Sequence, residues 1–128
     1  MRKAIIFTML ALICSIGAVA QNEVNGKKVT YIQLMGYQKM LSHKVRVVVD
    51  LGQDNWRYQF KLRDEKGKPI PFNSMVEVLN YMTKRGWEYV NSYPVTVTNQ
   101  NVYHFLLKKY VANEEEIKEG LNLERDDD

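Results

Sequence analysis

A run of cations on one side of a β-hairpin is the arrangement in this chain that comes nearest to a binding chemistry. Val45, Val47, Val49 and Leu51 alternate with Lys44, Arg46, Val48 and Asp50, and Trp56, Tyr58, Phe60 and Leu62 alternate with Arg57, Gln59, Lys61 and Arg63. Strict period two over both runs, joined by the turn-rich Gly52-Gln53-Asp54-Asn55, predicts an antiparallel hairpin with one buried face. Pairing Leu51 with Trp56 sets Val49 against Tyr58, Val47 against Phe60 and Val45 against Leu62 on the inner face. The outer face then sets Asp50 against Arg57, Arg46 against Lys61 and Lys44 against Arg63. A slip of two residues preserves both faces, whereas a slip of one buries charge. Like charges directly opposite one another destabilise a sheet by roughly 0.2–1 kcal/mol per pair. Lys44, Arg46, Arg57, Lys61 and Arg63 are therefore read as a face for an anion. The plainer alternative is a solvated sheet face, screened within ~8 Å at physiological salt.

Catalytic patterns are harder to find. His43 and His104 are the only histidines, and their separation matches no metal-ligand spacing; a structural or surface role is expected for both. There is no Gly-x-Ser-x-Gly elbow. Ser42 beside His43 is adjacency in sequence, which is not a shared site. Gly67-Lys68 lacks the remainder of a phosphate loop. Asp50, Asp54, Asp64, Glu65, Glu77 and Glu88 are scattered, with no pair singled out for glycoside chemistry. The acids near the C-terminus lack the alternating oxygen ligands and central glycine of a calcium loop. Accordingly no catalytic residue, metal site or cofactor is assigned, and the chain is not read as an enzyme. An unrecognised carboxylate site is the least favoured alternative.

The element that positions everything else is a helix handed directly to a strand within residues 69–93. Ser74 and Glu77 form a capping box, in which the hydroxyl accepts from the N3 amide and the carboxylate reaches back to the cap amide. Met75, Val78, Leu79 and Met82 make one apolar stripe. Lys84 and Arg85 fall in the last turn, where cations suit the helix dipole. Gly86 stands where a left-handed residue closes a helix, and Trp87 opens the next strand as a core residue. Around this unit the sequence predicts a first strand over 28–40 interrupted near Gly36, the hairpin, a turn over 64–71, a strand over 87–93 perturbed by Pro94, a turn over 99–101 and a last strand over 102–110. The fold class is α+β: an antiparallel sheet of about five strands, ordered β-β-β-α-β-β, with one helix packed on its apolar face.

Length and charge bound the rest. The 128 residues hold one modest domain. Residues 1–20 pair Arg2 and Lys3 with an apolar run ending in Ala18-Val19-Ala20, the pattern of a signal peptide cleaved before Gln21. Cleavage removes Cys14, the only cysteine, so no disulfide stabilises the mature chain. Residues 21–27 read as a flexible leader, 28–112 as the domain and 113–128 as an acidic tail. The domain segment from 27 to 112 carries 14 basic and 6 acidic side chains; the tail carries 8 acidic and 2 basic. Within the tail, Asn113, Glu116 and Gly120 outline a helix too short to persist without a surface to dock on, and Ile117, Leu121 and Leu123 offer a docking stripe.

The segment FNSMVEVLNYMTKRGWEYVNSY, followed by VYHFLLKK, resembles a type of small bacterial domain of unknown function. Its mark is Leu79-Asn80 near the middle of the helix, Gly86-Trp87-Glu88 at the exit into a strand, and a closing strand over 102–109 ending in basic residues. The upstream GQDNWRYQFKLRDEKGKPIPF is similar to small exported Gram-negative proteins that place a hairpin and a Gly-Lys turn before this unit. The resemblance covers about two-thirds of the mature chain. It implies an α+β fold and a periplasmic or secreted home, and it carries over no activity, cofactor or catalytic residue.

The expected function is a non-catalytic periplasmic or secreted binding or accessory protein, with an anionic ligand or an envelope protein as partner. Self-association into a sheet-edge homodimer is the runner-up. Nucleic acid is disfavoured, because Trp56, Tyr58 and Phe60 point to the core and away from the cations. No stable membrane insertion is expected after signal cleavage.

Overall fold

The computed structural model describes residues 23–55 and 58–126. The signal segment, and Trp56 and Arg57 of the expected hairpin, lie outside the described residues. The chain runs β1 (Glu23–Val24), β2 (Lys27–Gln38), β3 (Val45–Asp50), β4 (Gln59–Arg63), α1 (Met75–Thr83), β5 (Glu88–Val97), β6 (Gln100–Val111), α2 (Glu115–Lys118) and β7 (Asn122–Asp126). All strand pairs are antiparallel. The sheet has the order β5-β6-β2-β3-β4-β7, with β1 paired to β2. The architecture is thus mostly antiparallel sheet with a small helical part. Among the described residues it has seven strands and two helices, against the five and one read from sequence.

Helix α1 forms for the local reasons its sequence contains. Ser74 Oγ accepts from the Glu77 amide at 3.2 Å, and Glu77 Oε2 accepts from the Asn73 amide at 2.8 Å. The carboxylate thus reaches one residue further back than the cap amide expected of it. At the other end Gly86 N–H donates to Thr83 O at 3.1 Å and Trp87 N–H to Met82 O at 3.2 Å, the paired bonds of a Schellman closure. Gly86 sits at φ +90°, a backbone region that a Cβ disfavours. Helix α1 ends at Thr83, so Lys84 is its C-cap and Arg85 lies beyond it. Arg85 nonetheless serves the helix end. Its Nη1 donates to Tyr81 O and its Nε to Gly120 O, both at 2.8 Å, while the guanidinium carbon lies 3.5 Å from the Tyr81 ring centroid.

The core lies between α1 and one face of the sheet. Val78 and Met82 pack with Ile32, Leu34, Val45, Val47, Val49, Leu62, Phe72, Trp87 and Leu107. Strand β2 is not interrupted at Gly36. The glycine is buried, and a Cβ there would run into the Met75 side chain and approach Val45, so its lack of a side chain admits the first turn of α1. Likewise β5 continues through Pro94, which lies opposite Tyr103 on a strand with one free edge. A proline is tolerated on such an edge and blunts it.

Three segments differ from their sequence reading for identifiable reasons. Residues 23–28 are a tight hairpin, with Asn25 and Gly26 both at positive φ, the pairing that a two-residue turn of this hand requires. The central hairpin takes the two-residue slip: Val48 pairs with Lys61 and Val49 with Phe60. Its link is longer than a tight turn because the loop satisfies its own backbone. Gln53 Oε1 accepts from Leu51 N–H, Asp50 Oδ1 from Gly52 N–H, and Gln53 Nε2 donates to Tyr58 O. The acidic C-terminal segment, finally, belongs to the sheet. Strand β7 pairs along β4 from Gln59–Asp126 to Arg63–Asn122, and Ile117, Leu121 and Leu123 pack against the core. This is the docking surface that the short helix α2 needs.

Candidate binding site at the loop end of the sheet

The two longest strands, β2 and β6, pair from Lys28–Val111 to Tyr37–Val102. That pairing carries the loop after β2 and the turn before β6 to the same end of the sheet. Residues 39–44 form a compact loop: Lys39 N–H donates to Lys44 O at 3.0 Å, Ser42 N–H to Lys39 O at 3.3 Å, and Lys44 N–H to Ser42 Oγ at 3.1 Å. Across from it Thr98 and Asn99 make the β5–β6 link, with φ of 46° and 63°. A β-branched threonine at positive φ is strained, and such strain persists only where surrounding structure enforces it. Gln100 Nε2 donates to Gln38 O at 2.7 Å, which braces the two segments together. The turn lies one residue earlier than the sequence reading placed it.

Between these segments is an open cleft of about 680 Å³, whose lining includes Lys39, Ser42, His43, Asn99, Asn101 and Tyr103. A depression of about 380 Å³ adjoins it toward the start of α1 and shares Gln38, His43 and Tyr103. Neither hollow has a carboxylate among its described lining residues. The two segments that build the cleft are free of acids as well, with none between Glu23 and Asp50 and none between Glu88 and Glu114, while Glu77 caps α1 through Asn73 N–H beside the adjoining depression. Hydroxyl, amide and ammonium groups surrounding a space without a carboxylate can hold an anionic or hydroxyl-rich group by hydrogen bonds. Ser42 and His43 line that space with no acid to orient the imidazole, so the arrangement does not assemble a nucleophilic triad.

Of the cations expected to share one face, register keeps Arg46, Lys61 and Arg63 together, and each also has a contact of its own. Arg46 is exposed, with its guanidinium carbon 4.9 Å from the Tyr37 ring centroid. Lys61 stands in register with Val48 on one side and Glu124 on the other. Arg63 Nε meets Glu124 Oε2 at 2.7 Å. Lys44 donates through Nζ to Asn73 Oδ1 near the start of α1. Arg57 lies outside the described residues. The two-residue slip moves Arg46 from opposite Lys61 to the register position of Arg63, and β7 brings Glu124 to the same side of the sheet. Glu124 offsets part of the repulsion among these cations. Arg46, Lys61 and Arg63 nonetheless line, together with Lys39, one hollow of about 150 Å³ beside Pro69, Ile70 and Phe72, and Lys44 is not among its lining residues.

The sheet face turned away from the helices carries aromatic side chains that the sequence reading had not placed. Register sets Tyr31, Gln33, Met35 and Tyr37 of β2 beside His104 and Leu106 of β6 and Tyr93 of β5. His104 stacks on Tyr93, with centroids 4.9 Å apart and planes within 6°. Gln33 Nε2 donates to Tyr93 Oη at 3.0 Å and lies 2.6 Å from His104 Nδ1. These groups satisfy one another, while His43 is exposed at the cleft. Among the described residues no cluster of three or more His, Cys, Asp or Glu is placed to hold a metal.

Sequence reasoning had singled out neither the cleft nor its rim. The one signal available was Met40-Leu41, an apolar pair inside a basic, turn-forming stretch. The remaining lining residues come from a segment far along the chain and carry no local mark. Comparison with protein-family models, with curated proteins and with solved structures finds no match to this chain. The functional reading therefore stands on the sequence and the geometry.

Proposed function

We propose that this protein is a non-catalytic, exported binding or accessory module that engages its partner at the loop end of the sheet. The observation that carries the reading is the acid-free cleft between residues 39–44 and the Thr98–Asn99 turn, lined by hydrogen-bonding side chains and by Lys39. Its shape and chemistry suit an anionic group held by several hydrogen bonds and need no bond-making residue. The stable fold behind it, with Gln100 bracing Gln38, supplies a rigid mount for two strained loops.

Titration with heparin, a soluble polyanion, tests the site by NMR. Backbone amides of 39–44 and 97–101 are expected to shift more than those of β3 and β4, with the effect weakening as salt is raised. Shifts confined to Arg46, Lys61 and Arg63, with the loop end unmoved, would instead place the anion site on the hairpin face.

Export forms part of the same proposal and rests on Ala18-Val19-Ala20. Protein recovered from its native host is expected to begin at Gln21. A cytoplasmic form beginning at Met1 would refute export. No helix among the described residues is long and apolar enough to cross a membrane.

A further inference from the structure

Met40 and Leu41 are large apolar side chains at the tip of the β2–β3 loop, with 90% and 105% of their surface exposed. Leu41 is held there at φ +59°, a conformation that side chains other than glycine rarely adopt. The loop's own hydrogen bonds hold the backbone that carries the pair. Val97, 54% exposed, flanks the neighbouring turn at the same end of the molecule. Lys39, His43, Asn99 and Asn101 line the same cleft as Met40 and Leu41. An exposed apolar pair beside a cation and hydrogen-bonding groups, in a cleft with no carboxylate among its described lining residues, matches the acyl chains and headgroup phosphates that a bilayer surface presents together.

We propose that the loop end docks on an anionic lipid surface. Met40 and Leu41 enter the boundary between headgroups and acyl chains, and Lys39 and the cleft amides take the phosphate oxygens. The inference rests on the reading of the loop end as the binding site and names its partner. A free phosphate would satisfy Lys39 and the amides but leave both apolar side chains in water, which is why a lipid headgroup is preferred. Attachment of this kind is peripheral. Two side chains on a loop do not span a bilayer, and reversible binding is what such a small apolar insertion supports.

The test is flotation of the form beginning at Gln21 with vesicles of phosphatidylcholine alone and of phosphatidylcholine with phosphatidylglycerol. Binding is expected to the anionic vesicles and to weaken with salt. The paired substitution Met40→Ser with Leu41→Ser should lower partitioning by about tenfold or more while leaving the thermal melt unchanged, since neither side chain is packed. Lys39→Gln should lower it by about fivefold, the effect of one cation near an anionic surface. Absence of flotation with either vesicle, or flotation undiminished in the Met40/Leu41 variant, would overturn the proposal. Should heparin shift the loop-end amides while anionic vesicles fail to float the protein, the lipid inference falls and the binding cleft remains.

Discussion

Trp87→Ala is expected to destabilise the protein by about 3–5 kcal/mol, the cost of removing a large aromatic side chain from a packed core. The ring is 1% exposed and belongs to the cluster that joins α1 to β2 and β6. Lys109 Nζ lies 5.8 Å from its centroid while donating to Glu116 O at 3.1 Å, so the same region also anchors α2. A loss of that size is a large share of the 5–15 kcal/mol typical of a whole domain. Trp87→Phe should be far milder, because the buried indole Nε1 has no hydrogen-bond partner among the described residues to lose. Gly86→Ala should fall between them at about 1–2 kcal/mol. It would place a Cβ at positive φ, 3.2 Å from Lys109 Cε. Urea melts of the three variants give the ranking. A Trp87→Ala protein within 1 kcal/mol of the parent would show that the ring is not a core residue.

Deleting residues 113–128 is expected to cost about 3–5 kcal/mol as well, through a different mechanism. Ile117, Leu121 and Leu123 are partly buried against the core. Full burial of such a side chain contributes about 1.5–3 kcal/mol, and partial burial correspondingly less. Removing β7 also strips the ladder from β4, leaves Arg63 without its 2.7 Å contact to Glu124, and takes Gly120 O away from Arg85. The chain ending at Ala112 should therefore melt at lower urea and expose a new sheet edge, with a tendency to associate. Equal melting midpoints for the two chains would show that the acidic segment is only a solvated end. A change in heparin affinity on truncation would have to be read beside this loss, since charge and fold change together.

What the amino-acid sequence determined by itself is local. The Ser74 cap, the stripe of Met75, Val78 and Met82, and the left-handed Gly86 are each set by neighbours within a helical turn or two. The inner and outer faces of the central hairpin follow equally from period two. The same periodicity could not choose the register, because a two-residue slip leaves every side chain on its face; bonds from Gln53 and Asp50 within the loop decided it. Gly36 reads locally as a break and is in the structure a close contact with α1, which only packing reveals. In β7, Leu123 is the one apolar residue among Asn122, Glu124, Arg125 and Asp126, too weak a pattern to declare a strand until β4 offers an edge and the core a hollow. The candidate site is the extreme case. Met40 and Asn99 lie far apart in the chain and become neighbours only through the long pairing of β2 with β6. A cleft made by two distant loops has no period and no spacing; its chemistry exists only once the sheet has closed the distance.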